Sequence, residues 1–189
     1  MAAERERLRE LAAMAAFTVL LAAGARLSIP CWPAPLTLQT LVLAVAGLTL
    51  GPWRGLAVVA VYLLMGLIGL PVFAQGGGSG YVLMPGFGFV LGFLPAVAVT
   101  GLLRGLDRRL PRFAAHTLAA LAGLVPLYAV GALYYTLIKG LYGSAPAWAI
   151  LGPFLVYLPG DIAKALAAAA VAGRVGRERV SGRNKSKSF

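Results

Sequence analysis

The chain has 189 residues, of which 60% are hydrophobic and 12% are charged, and its formal net charge is +11. Because soluble domains carry about 25% charged residues, this composition excludes an ordinary soluble domain. The positive charge lies at the edges of apolar stretches, where anionic lipid attracts it, which argues against a nucleic-acid-binding face. A single cysteine, Cys31, excludes an internal disulfide, and a single histidine, His116, argues against a metal site.

Long stretches without a charged residue predict membrane-spanning helices. Such stretches separate Arg54 from Arg104, Arg112 from Lys139, and Lys139 from Asp161, and a helix needs about 20 apolar residues to cross a bilayer. We predict an all-α membrane protein whose single domain, residues 1–173, has six transmembrane helices, followed by a polar, basic cytoplasmic tail, residues 174–189. In chain order the predicted spans are about 11–29, 37–51, 55–71, 83–103, 115–138 and 149–173. The second is short for a full crossing.

The distribution of basic residues predicts the orientation. Most of the 17 lysines and arginines fall in the N-terminal segment, the second and fourth connections and the C-terminal tail. The opposite side receives only Arg26 and Lys139, and Lys164 lies within the last span. Basic residues flank spans on the cytoplasmic side, so both ends of the chain are predicted to be cytoplasmic.

One ion pair lies inside a predicted span. Asp161 and Lys164 are three residues apart in the sixth span, a spacing that places both side chains on one face of a helix. A charge in the middle of a bilayer costs at least about 2.5–3.5 kcal/mol on insertion scales. We therefore interpret the pair as functional, with a purely structural pair as the alternative.

Two further features indicate a pocket on the outer side. Thr37, Gln39 and Thr40 begin the second span, and the third connection contains the glycine-rich run 76–80. This run lacks the Gly-Lys-Ser/Thr ending of a nucleotide-binding loop. A flexible loop over a pocket and a plain connector both fit it.

Small residues in the first and sixth spans would allow another helix to pack closely. In the first span they include Ala12, Ala15 and Ala16, and in the sixth Ala165 and the run 167–170. Packing within the bundle and docking of a separate membrane protein explain them equally well.

Five segments together resemble the BioY family, the biotin-specific substrate-binding (S) components of prokaryotic energy-coupling-factor (ECF) vitamin transporters. The likeness runs over nearly all of residues 11–173. The Thr-Leu-Gln-Thr, Gly-Leu-Pro-Val-Phe and Pro-Gly-Asp-x-x-Lys sequences are specific in combination, though each alone is weak. The matching segments, in the expected order, are residues 33–41, 46–51, 62–74, 85–93 and 159–164.

The resemblance implies a six-helix S-component fold in the cell membrane that captures biotin with high affinity in a pocket near the outer face. It implies docking onto a transmembrane coupling protein driven by two ATPase subunits, with no enzymatic activity and no cofactor. It also implies that Asp161 and Lys164 bind the ureido ring and that Ala12, Ala15 and Ala16 form the docking face. The other ligand-binding residues expected from it are Gln39, Gln75, Ser79, Tyr81, Phe73 and Phe89.

The chain departs from the family pattern in one segment. Where the family usually reads Gly-Pro-Thr-Gly-Gly-Tyr, this chain has Met84-Pro-Gly-Phe-Gly-Phe, so a hydroxyl and a phenol are missing and Phe87 adds bulk. Backbone amides of the glycine-rich loop or Tyr81 are candidates for holding the ligand carboxylate. The departure keeps open an S component for another small vitamin or carboxylic acid.

Two functions of other classes also remain open at this point. A membrane enzyme could use Asp161 and Lys164 as acid and base. A proton-coupled transporter could use Asp161 as the proton carrier, although a carboxylate paired with a lysine carries protons poorly unless the pair opens.

Overall fold

A computed structural model describes residues 1–31, 34–142 and 147–185; Pro33 of the first matching segment and residues 186–189 of the predicted tail lie outside these ranges. The described residues form six α-helices, which confirms the predicted all-helical architecture. A short antiparallel pair, β1 (Ser28–Ile29) and β2 (Leu36–Thr37), connects the first two. The helices are α1 (Ala2–Arg26), α2 (Gln39–Leu50), α3 (Pro52–Leu67), α4 (Phe87–Leu103), α5 (Arg112–Tyr142) and α6 (Ala147–Lys185).

Helix lengths divide the bundle into two groups. Within the described residues, four helical segments are long and apolar enough to cross a membrane, one in each of α1, α4, α5 and α6. The other two, α2 and α3, have 12 and 16 residues, fewer than the about 20 that a full crossing needs. As helices, α2 and α3 are therefore shorter than the predicted spans 37–51 and 55–71. The sixth helix, in contrast, continues beyond the predicted end at residue 173 to Lys185.

The shortest of the six helices, α2, is the central one. It packs against α1, α3, α4, α5 and α6, and it carries the buried residues Leu43, Ala46, Leu48 and Leu50. The other helices are arranged around it, with α4 and α5 in the most extensive contact. A polar side chain at the first turn of α2 is therefore placed near the axis of the bundle.

A tight turn between α2 and α3 makes these two helices adjacent. Gly51 ends α2 with φ of 84°, a left-handed conformation that glycine adopts without steric cost. Pro52 then begins α3, where its fixed φ and missing N–H suit the first turn of a helix. The two residue types thus explain the turn at Gly51-Pro52.

The small residues of α1 and α6 occupy different environments. Ala165 and Ala168 of α6 are buried against Ala44 and Ala120, so these positions serve packing within the bundle. Ala12, Ala15 and Ala16 of α1 are exposed on the outer surface of the bundle. The α1 alanines therefore remain available for contact with lipid or with another membrane protein.

Candidate ligand-binding site

A cavity lies at the end of the bundle that carries the α1–α2 and α3–α4 connections. It contains about 640 Å³ of empty space, and this figure includes space that is open to solvent. Its wall is formed by residues 34–37, the first turn of α2, the α3–α4 connection and one face each of α4, α5 and α6. Several separate chain segments therefore converge on one partly open cavity.

The polar end of the cavity is built around Asp161, whose side chain is only 4% exposed. Lys164 Nζ lies 2.6 Å from Asp161 Oδ1, and Thr40 Oγ1 donates to the same oxygen at 2.8 Å. Tyr128 of α5 donates its hydroxyl hydrogen to Oδ2. The buried carboxylate is thus paired and hydrogen-bonded on both oxygens, as a charge out of water requires.

Lys164 joins α6 to the start of α2. Its ammonium donates to the backbone carbonyl of Thr37 at 2.8 Å and to Thr40 Oγ1 at 3.0 Å, in addition to Asp161. The side chain ends inside the cavity wall rather than reaching toward the C-terminal end of α6. The predicted ion pair inside the last helix is therefore present and is part of a network with Thr37 and Thr40.

Gln39 is buried at the first turn of α2 and is 3% exposed. Its amide nitrogen donates to Tyr62 Oη at 2.6 Å and to the Leu21 carbonyl at 3.3 Å, and its amide oxygen accepts from Thr37 Oγ1 at 3.2 Å. Gln39 also borders the cavity. Because its hydrogen-bonding groups already join α1, α2 and α3, it supports the wall of the cavity.

Tyr157 ties the α1–α2 connection to α6. Its hydroxyl donates to the Ala34 carbonyl and accepts from the Ala34 backbone N–H. Tyr157, Asp161 and Lys164 are spaced four and three residues apart on α6, which places them on one helix face. One face of α6 thus supplies both the ion pair and the contact that holds residue 34 at the cavity.

Aromatic rings form the apolar wall. Phe89 of α4 packs edge-on against Tyr128 and Tyr157, with ring centroids 6.3 and 6.1 Å apart, and Phe93 borders the same space. Such edge-to-face pairs are a preferred aromatic geometry. The cavity therefore combines a charged, hydrogen-bonding end with a large apolar surface.

The cavity brings together six of the eight predicted ligand-binding residues, namely Asp161, Lys164, Gln39, Gln75, Tyr81 and Phe89. Phe73 is fully buried behind the wall, where its ring contacts Tyr62, Tyr81 and Phe87. Ser79 is exposed at the start of a short 3₁₀ helix, Ser79–Leu83, and does not border the cavity. Neither Phe73 nor Ser79 borders the cavity, and their role in ligand binding stays a prediction.

The substituted segment 84–89 splits between cavity and core. Gly86 and Phe89 border the cavity, whereas Phe87 is 3% exposed in the aromatic cluster of the core. The added bulk of Phe87 is therefore accommodated by Phe73, Tyr81 and Tyr134. It does not narrow the cavity directly.

The glycine-rich connection folds back on the end of α3. Gly78 N–H donates to the Gly66 carbonyl at 2.7 Å, and Phe73 and Gly76 bond each other through their backbones. Burial raises the pKa of the Tyr81 phenol, opposed by a backbone hydrogen bond from Gln75, so Tyr81 presents a neutral hydroxyl. The connection is thus a hydrogen-bonded segment that presents Gln75 and Tyr81 to the cavity.

Tyr128 and Tyr157 border the cavity but were not among the predicted site residues. The four-residue spacing from Tyr157 to Asp161 was a readable signal, because it repeats the helical face shared with Lys164. Tyr128 gave no such signal, since α5 also contains Tyr134 and Tyr135 in a similarly apolar setting. Only the packing of α5 against α6 singles out Tyr128.

Comparisons with known proteins agree with this geometry. The model of the BioY family matches residues 1–180. The chain is 39% identical over 155 residues to the biotin transporter BioY of Rhodobacter capsulatus, covering 78% of this chain and 81% of that protein. It is 34% identical over 168 residues to the probable biotin transporter BioY of Pyrococcus horikoshii, covering 88% and 96%. A crystal structure of the S component for biotin from an ECF-type ABC transporter superposes with a TM-score of 0.81 at 27% identity, covering 92% of this chain and 93% of that chain.

Proposed function

The chain belongs to the BioY family, and we propose that it is the S component of an ECF-type transporter and that it captures biotin in the cavity between α2, α4, α5 and α6. As a member of a transporter family it is a transport protein and not an enzyme. This membership sets aside the reading of Asp161 and Lys164 as catalytic acid and base. The single observation that carries the ligand assignment is a buried ion pair at the end of an aromatic-walled cavity.

The chemistry of biotin suits the two ends of this cavity. Its ureido ring has N–H donors and a carbonyl acceptor, which match the carboxylate of Asp161 and the donors gathered around it. Its thioether ring and valeryl chain are apolar and would lie against Phe89, Phe93 and Tyr157. In this arrangement the carboxylate end of biotin faces the α3–α4 connection, where Gln75 and Tyr81 border the cavity.

The proposed orientation places the cavity near the outer face of the cell membrane. The end of the bundle opposite the cavity carries Arg54 and Arg104, and Arg54 forms a 2.5 Å ion pair with Glu10 of α1. Basic residues concentrate on the cytoplasmic side of membrane proteins, which supports cytoplasmic N- and C-termini and six crossings. In this proposal the two short helices, α2 and α3, cross with help from the flanking residues of their connections.

We further propose that transport requires a transmembrane coupling protein and two ATPase subunits, with the exposed α1 surface of Ala12, Ala15 and Ala16 as the docking face. Small residues allow close helix contact in lipid, and these three alanines are exposed. The energy for concentrative uptake would come from the ATPase partners. Uptake of labelled biotin into proteoliposomes should then depend on ATP and on all three partner subunits together.

Titration calorimetry on the purified protein in detergent tests the ligand assignment. We expect tight binding of one biotin per chain, and loss of binding in the Asp161→Ala variant. If folded protein fails to bind biotin, the biotin assignment is withdrawn, while the family membership stands. A panel of other vitamins and small carboxylic acids would then identify the ligand.

A further inference from the structure

The side chains of Lys164, Thr40, Gln39 and Tyr128, within the part of the chain that the structure describes, have their hydrogen-bond donors engaged. An ammonium has three N–H donors, and those of Lys164 are matched by three acceptors, the Thr37 carbonyl, Thr40 Oγ1 and Asp161 Oδ1. The hydroxyl hydrogen of Thr40 is donated to Asp161 Oδ1. The Gln39 amide donates to Tyr62 and to the Leu21 carbonyl. A ligand carbonyl that bonds one of these side chains must therefore take a donor from an existing bond.

The cost of releasing a donor differs among these groups. Withdrawing Lys164 from Asp161 separates a buried ion pair, and withdrawing it from Thr37 leaves a backbone carbonyl without its partner, both of which are expensive. Withdrawing it from Thr40 removes a donor from the hydroxyl that itself bonds Asp161 Oδ1. Tyr128 donates a single hydroxyl hydrogen to Asp161 Oδ2. That hydrogen can turn about the Cζ–Oη bond, and Asp161 keeps Lys164 and Thr40 on its other oxygen when it does.

We propose that Tyr128 is a ligand-contacting specificity residue: its hydroxyl turns from Asp161 Oδ2 to the ligand's ureido oxygen, and Oδ2 accepts a ureido N–H in exchange. Lys164 then acts as the positioning residue that holds Asp161 and Thr40 in place. The exchange conserves the number of hydrogen bonds at the carboxylate. It selects ligands in which an N–H donor and a strong carbonyl acceptor are neighbours, and it rests on the function proposed above.

A comparison of two ligands tests the exchange. In 2-thiobiotin the ureido oxygen is replaced by sulfur, a weaker acceptor, while the rest of the molecule is unchanged. Wild-type protein should bind biotin about tenfold more tightly than 2-thiobiotin, the effect of about one hydrogen bond. In the Tyr128→Phe variant, the ratio of biotin affinity to 2-thiobiotin affinity should fall to about threefold or less. This result is expected whether or not the affinity for biotin itself changes.

Tyr157→Phe is the matched control. Tyr157 also packs on Phe89, but its hydroxyl bonds Ala34 rather than Asp161. Removing the Tyr157 hydroxyl should therefore leave the preference for biotin over 2-thiobiotin near the wild-type value. A preference that persists in Tyr128→Phe, or that disappears equally in both variants, would overturn the assignment of Tyr128. Failure of the wild-type protein to bind biotin at all would instead refute the proposed function.

A structure of the wild-type protein with biotin bound provides the second measurement, which does not depend on the stability of any variant. We expect Tyr128 Oη at hydrogen-bond distance, about 2.7 Å, from the ureido oxygen, and a ureido N–H on Asp161 Oδ2. If Lys164 Nζ contacts the ureido oxygen while Tyr128 remains on Asp161, the proposal is wrong.

Discussion

Lys164 Nζ lies 2.6 Å from Asp161 Oδ1, and the two side chains are 12% and 4% exposed. An ion pair this buried has lost most of its hydration, so each partner depends on the other. Thr40 contacts both, accepting from Lys164 and donating to Asp161. The three residues therefore form one unit that couples α6 to the first turn of α2.

Breaking this pair should affect stability and binding in different ways. Asp161→Leu or Lys164→Met alone leaves a buried charge without its partner, which costs about 3–5 kcal/mol. Replacing both residues removes that cost, so the double variant should recover most of the thermal unfolding midpoint. Calorimetry should find biotin binding weakened by about 2–5 kcal/mol or more in all three variants. A double variant that still binds biotin tightly would refute a role for the pair in ligand capture.

Phe89 and Phe73 should separate a cavity residue from a core residue. Phe89→Ala removes part of the apolar wall beside Tyr128 and Tyr157, so it should weaken biotin binding about 10- to 100-fold with a small change in stability. Phe73 is fully buried, so Phe73→Ala should lower stability by about 3–5 kcal/mol. Thermal unfolding and calorimetry on both variants check this contrast. If both variants lost the same biotin affinity when equal amounts of folded protein were compared, this distinction between a cavity residue and a core residue would be wrong.

Gln39→Met should act mainly on stability. It leaves the Leu21 carbonyl and the Tyr62 hydroxyl without their amide donor, which costs about 1–3 kcal/mol. Folded Gln39→Met protein should retain more biotin affinity than folded Asp161→Ala protein. The reverse order in a calorimetric comparison would mean that Gln39 contacts the ligand directly.

The native Cys31 offers a test of orientation. It follows β1 in the α1–α2 connection and is partly exposed, so a membrane-impermeant maleimide should label it in intact cells. Trp53, in the first turn of α3, is 80% exposed, and Trp53→Cys in a Cys31→Ser background should be labelled only after the cells are opened. The opposite pattern would invert the proposed topology.

The exposed alanines of α1 predict a variant that binds biotin but does not transport it. Ala12→Trp together with Ala16→Trp adds bulk to the proposed docking face and should abolish co-purification with the coupling protein and ATPases. Val125→Trp, at a 69% exposed position of α5, is the control and should leave the complex intact. Calorimetry should give wild-type biotin affinity for both proteins. Normal co-purification of the α1 variant would rule out this face.

The ion pair could be predicted from the sequence because charge inside an apolar helix is rare enough to stand out. Asp161 and Lys164 therefore needed no knowledge of neighbouring helices. Tyr128 and Phe73 illustrate the limit, since aromatic residues are common in apolar helices and connections. Whether such a ring faces a cavity or the core depends on helix rotation and packing, which short-range sequence patterns do not determine.

The helical fold followed from hydropathy, but the arrangement of the helices did not. Nothing in the composition of residues 39–50 marks α2 as the central helix, because its apolar character also suits a lipid-facing position. Its short length was visible in the sequence, between Thr37 and the Gly51-Pro52 turn. Only the packing of the five neighbouring helices around α2 shows that this short helix is the central one.

The shortness of α2 explains why the bundle has room for a ligand. Twelve residues rise about 18 Å, whereas the hydrocarbon core of a bilayer is about 30 Å thick. The cavity begins at Gln39 and Thr40, where this central helix starts, and thus occupies the volume that additional turns of α2 would fill. A ligand in that volume would complete the interior of the bundle in place of the missing turns, so its apolar part would bury surfaces of α4, α5 and α6 that a longer α2 would otherwise cover.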